Sequence, residues 1–91
     1  DTVEQVAACT DYIRGVHFKD GHGKFHDFDF PVFGEGIVAF DKVHEILQRA
    51  GYSDAYCMEL EGPAFNRDDP QDLAAKITRC VDHLHSVGVP G

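Results

Sequence analysis

The chain has 91 residues, 43% of them hydrophobic and 26% charged, with eight Lys and Arg against sixteen Asp and Glu for a formal charge of -8. That is the composition of a globular chain rather than a disordered one, and its acidic balance opposes the phosphates of nucleic acids and anionic membranes. Cys9, Cys57 and Cys80 lie far apart in apolar runs with no CxxC pair; they read as buried thiols in a reducing compartment, and with no membrane-length apolar run and no secretory leader the expected location is the cytoplasm.

Val3, Val6, Ala7 and Thr10 recur at helical spacing, so residues 1–10 read as the last turns of an amphipathic helix. A chain that opens inside a helix without an initiator Met reads as a piece of a longer protein. Residues 12–19 (YIRGVHFK) predict a strand, broken by the turn residues Asp20, Gly21, His22 and Gly23. Residues 21–36 are rich in Gly, His, Asp and Phe without a period, the pattern of a long loop that carries ligand contacts.

A second helix is expected over residues 39–50, with Phe40, Val43, Ile46, Leu47 and Ala50 as its apolar face and Gly51 as its terminator. Ala39 is a weak cap for it, with Asp41 close by. Residues 55–60 (AYCMEL) are apolar apart from Glu59, as in a parallel strand covered on both faces. Asp69 followed by Pro70 is a strong helix start, and the helix is expected over residues 70–87 with Leu73, Ile77, Cys80, Val81 and Leu84 as its buried stripe.

Helix, strand, helix, strand, helix implies parallel strands joined by a right-handed crossover, that is, two βα units. Two strands leave both sheet edges open and apolar faces uncovered, so remaining strands or self-association must complete the fold. A parallel (β/α)8 barrel takes about 250 residues, of which this chain would supply about a quarter.

Side chains alternate along a strand, which puts Gly15, His17 and Lys19 on one face of the first strand and Cys57, Glu59 and Glu61 on one face of the second. If the strands are neighbours, His17 and Glu59 face one cavity at the C-terminal strand ends, where barrel active sites lie. Imidazole and carboxylate suit Mn, Co, Mg or Zn, but such ions take four to six donors and the remainder must come from elsewhere. Singly, His17 also fits a core histidine hydrogen-bonded to a neighbour, and a lone strand carboxylate such as Glu59 has a similar structural reading; the pair carries the metal reading. Gly34, Glu35 and Gly36 lack the spacing of a phosphate cradle and read as a turn that positions the next helix.

The segments Val16-His17-Phe18-Lys19-Asp20, Phe33-Gly34-Glu35-Gly36, Ala50-Gly51-Tyr52 and Met58-Glu59-Leu60-Glu61 resemble, in order and spacing, the last two strands of the xylose isomerase-like TIM-barrel family, which includes ketose 3-epimerases, inosose isomerases and dehydratases, and endonuclease IV. The resemblance covers nearly the whole chain and implies an α/β fold, the C-terminal portion of a parallel (β/α)8 TIM barrel made of its last two βα units. It implies His17 and Glu59 as ligands of a divalent metal, Glu59 also as the catalytic acid/base, and a small-molecule sugar or polyol isomerised or epimerised through an enediolate. The family's earlier Glu and Asp ligands match nothing here, so the isolated chain is expected to be inactive.

Where some epimerases carry a substrate-contacting Arg, this sequence has Gly23 followed by Lys24. His22, Lys24 and His26 could bind a polyol or a phosphate, and His22 and Lys24 are the substrate-binding candidates. Endonuclease IV has an Asp-x-His pair before its Gly-Glu-Gly turn; Phe28-Asp29-Phe30-Pro31 lacks it, which with the acidic charge opposes DNA repair. The alternatives are a non-catalytic self-assembling barrel fragment and an inosose-type dehydratase with the same ligands.

Overall fold

The structure, a computed structural model, describes residues 2–10, 13, 15–24 and 29–90. Helix α1 (Thr2–Cys9) leads to strand β1 (Val16–Phe18), helix α2 (Phe40–Arg49), strand β2 (Tyr56–Met58) and helix α3 (Pro70–Ser86). The strands pair in parallel, with Val16 opposite Tyr56, His17 opposite Cys57 and Phe18 opposite Met58, and Glu59 N–H extends the ladder by donating to Phe18 O at 2.9 Å. The described residues form a small α/β arrangement of two parallel strands and three helices. The ladder is shorter than residues 12–19 and 55–60; residues 11, 12 and 14, in or beside the first of these stretches, lie outside the described set.

Helix α3 starts where Asp69 accepts the Asp72 N–H at 3.1 Å, with Pro70 needing no such partner. Helix α2 has no side-chain cap at Ala39. Its C-terminus closes at Gly51, whose φ of +84° suits glycine. There the Gly51 and Tyr52 N–H groups donate to Gln48 O and Leu47 O.

Residues 40, 43, 44 and 47 form the buried stripe of α2. The stripe therefore includes His44, which a reading by hydrophobicity passes over, while Ala50 is exposed. Phe40 is the hub: its ring meets Phe18 edge-on at 5.2 Å and Phe33 at 4.9 Å. Cys80 and Leu84 of α3 close the core together with Phe65 and Val89. His44 Nδ1 is hydrogen-bonded to the Tyr56 hydroxyl at 3.0 Å, and its Nε2 is buried without a hydrogen-bond partner among the described residues.

Two sequence expectations are corrected. The second strand is covered on one face, because Tyr56 and Met58 pack on the core while Cys57 is exposed. Of the three cysteines only Cys80 is buried; Cys9 and Cys57 are exposed. Both errors share a cause: apolar neighbours in sequence alternate between two faces, and only one face has helices on it among the described residues. None of these helices is long and apolar enough to cross a membrane.

Candidate active site

Val16, Phe18, Tyr56 and Met58 point into the core, so strand alternation turns His17, Lys19, Cys57 and Glu59 to the open face. There His17 Nδ1 lies 3.9 Å from Glu59 Oε2. Lys19 sits between two carboxylates: its ammonium donates to Glu59 Oε1 at 3.3 Å and to Glu61 Oε1, and lies 4.0 Å from the centre of the Phe30 ring. The Glu61 hydrogen bond raises the Lys19 pKa above the ordinary value; burial opposes it and Glu59 adds to it.

His17 and Glu59 are both more than 45% exposed at the side chain. Their nitrogen and oxygen donors are of the kind first-row divalent ions take. Two donors do not make a shell, and among the described residues no group of three or more His, Cys, Asp or Glu side chains could hold a metal ion.

His22 and Lys24 lie just beyond β1. His22 Nε2 is 3.8 Å from Asp29 Oδ2, and Lys24 is exposed. Neither is hydrogen-bonded or ion-paired to His17 or Glu59 among the described residues, and His26 lies outside that set.

The residue that sequence reasoning undervalued is Asp20, which is 1% exposed. Its Oδ1 accepts the N–H groups of Gly21 and Val38, and its Oδ2 those of Gly34 and Gly36, at 2.9–3.0 Å. A Cβ on Gly36 would run into this carboxylate and Gly21 O, and one on Gly34 (φ +94°) into the His83 ring. The Gly34-Glu35-Gly36 turn is thus folded onto Asp20, and Glu35 accepts from Arg79 of α3 at 3.0 Å. The sequence signal was an Asp closing a strand before a Gly, with a second Gly-rich turn farther along.

Taken together, the chain is a βαβ unit with an imidazole, an ammonium and two carboxylates gathered on its open sheet face. It is 30% identical over 82 residues to the L-ribulose-5-phosphate 3-epimerase UlaE of Escherichia coli (strain ATCC 8739), a match covering 90% of this chain and 26% of that enzyme. The enzyme of the same name from Shigella flexneri matches at 30% over 83 residues, with the same coverage. The chain thus spans about a quarter of the length of these curated relatives. No family model and no solved structure matches it.

Proposed function

We propose that this chain is the C-terminal part of a parallel (β/α)8 barrel of the xylose isomerase-like family, and that the completed barrel is a divalent-metal-dependent isomerase or epimerase of a ketose or ketose phosphate. The observation that carries the reading is the placement of His17 and Glu59 side by side on the open face of a parallel strand pair. The 30% similarity to an enzyme named as a sugar-phosphate 3-epimerase supports it.

In this reading His17 and Glu59 supply two ligands of one ion, and the remaining donors come from strands outside these residues. When bound, the ion would stabilise negative charge developing on substrate oxygens. The Glu59 carboxylate takes the proton from the carbon beside the carbonyl, leaving an enediolate, and a second carboxylate beyond this chain returns a proton to the opposite face. Lys19 keeps Glu59 oriented and counters its charge, and His22 and Lys24 contact substrate hydroxyl or phosphate oxygens. The separate, unpaired cysteines fit a cytoplasmic enzyme.

One observation favours a role for assembly as well. The open face and the outer strand edges need cover, which further strands of the barrel would provide.

The test is proton exchange at carbon. The full-length protein, loaded with Mn²⁺, is incubated with L-ribulose 5-phosphate in D₂O and followed by NMR. Deuterium entering at the epimerised carbon is the expected result. No exchange with this or other ketose phosphates or free ketoses would defeat the proposal.

A further inference from the structure

We infer that Asp20 is a positioning residue for the site, a clasp that holds Lys19 against Glu59 and Glu61 by pinning the far end of the following segment to the end of β1. The use of that geometry in catalysis rests on the proposed epimerase reading; the clasp itself does not.

The case begins with an unusual carboxylate. Asp20 is almost wholly buried and accepts four backbone N–H groups: Gly21 from its own end of the segment, and Gly34, Gly36 and Val38 from the other. A buried carboxylate accepting several N–H bonds is strongly held, since hydrogen bonds to an ionised acceptor are about twice as strong as neutral ones. Ile37 N–H donating to Gly21 O at 2.8 Å doubles the seam. Residues 34–38 therefore cannot leave β1 without uncovering a buried charge.

This seam fixes the frame around Lys19. Lys19 is the residue immediately before the clasp, and Phe30, whose ring lies beside its ammonium, comes shortly before the pinned turn. His22 stands one residue past Gly21 and Asp29 close before the turn, and the two lie within 3.8 Å. One buried side chain thus sets both ends of the stretch that bears Lys24, His22 and the Phe30 support of Lys19. Gly36 is part of the device, because any side chain there would occupy the place of the carboxylate.

Asn is the telling replacement. It has the shape of Asp, but whichever way the amide turns, its NH₂ faces two N–H donors that previously met an oxygen. The experiment compares Asp20→Asn with the wild-type full-length protein by amine-labelling mass spectrometry and amide exchange. Lys76 of α3, held by Asp72 one turn earlier and by Ala64 O of the preceding loop, is the internal control.

The expected result is acylation of Lys19 about threefold or more faster and exchange at Gly34, Gly36 and Val38 about tenfold faster, with Lys76 and the interior of α3 unchanged. With L-ribulose 5-phosphate as the probe, kcat should fall about fivefold or more as Glu59 loses the Lys19 contact that orients it, and KM should rise by a similar factor as His22 and Lys24 loosen. Gly36→Ala keeps every charge and should shift both labelling readouts the same way. Unchanged labelling of Lys19 in a folded variant overturns the inference. So does loss of protection throughout α3 in both variants, which would make Asp20 a general stability residue. Absence of turnover in the wild type would count against the epimerase reading alone, because the labelling needs no substrate.

Discussion

His17 Nδ1 and Glu59 Oε2 stand 3.9 Å apart although they lie 42 positions apart in the chain, and the parallel register is what joins them. His17 lies opposite Cys57, so Glu59, one alternation farther on, projects from the same face. Any single-residue slip would turn Glu59 into the core and Met58 to solvent. The core contacts of Phe18, Tyr56 and Met58 thus fix the register of the two polar residues.

If Glu59 is the acid/base, Glu59→Gln in the full-length protein keeps the shape and removes the proton acceptor. Turnover of L-ribulose 5-phosphate should fall by about 10²- to 10⁴-fold while the unfolding temperature changes little, because the side chain is exposed. Steady-state kinetics beside thermal unfolding decide the matter, and near-normal kcat in the mutant would remove Glu59 from the chemistry.

Much of this arrangement was legible in the sequence because it depends on local periods. Asp69-Pro70 announced α3, and a period of two placed His17 with Glu59 across neighbouring strands. Asp20 was legible only as a turn residue, since its partners at Gly34, Gly36 and Val38 are 14 to 18 positions away and no local pattern encodes a long-range carboxylate clasp. His44 occupied the right position in the α2 stripe but was passed over as polar; its pairing with the Tyr56 hydroxyl is a tertiary fact. The exposure of Cys57 depends on what covers the other face of the sheet, which the sequence of two strands alone does not determine.

His44 and Tyr56 offer a stability test. Replacing one partner strands the other, whereas replacing both by apolar groups of similar shape removes the polar cost altogether. His44→Phe and Tyr56→Phe should each cost about 1–2 kcal/mol, and the double variant should cost less than their sum. Denaturant unfolding of all four proteins closes the cycle, and strict additivity would mean that the 3.0 Å hydrogen bond contributes nothing.

Alkali should destabilise the fold in steps. Burial raises the Cys80 thiol and the Tyr56 phenol above their ordinary values, and the Glu61 hydrogen bond raises Lys19. In each case the folded state keeps its proton longer than the unfolded chain, so stability is full below the unfolded cysteine's value of about 8.5 and falls as pH rises above it. Cys80 acts first, and Cys80→Ala should flatten the lowest part of that decline. Unfolding free energies measured from pH 7 to 11 test this; a wild-type curve that stays flat, or a Cys80→Ala curve that falls as steeply as the wild type, contradicts it.

The cysteines can report whether the open face is closed by further strands. In the 91-residue chain Cys9 and Cys57 are exposed and Cys80 is fully buried, so iodoacetamide should modify the first two readily and Cys80 only on unfolding. A closed barrel turns the Cys57 face inward, where side chains pack in layers. In the full-length protein Cys57 should therefore react about tenfold or more slowly than Cys9. Mass spectrometry of timed digests gives both rates in one sample, with Cys9 as the reference on the outer helix. Equal rates would mean that the sheet face carrying His17 and Glu59 stays open to solvent, leaving no enclosed cavity in which proton transfer at carbon could be shielded from water.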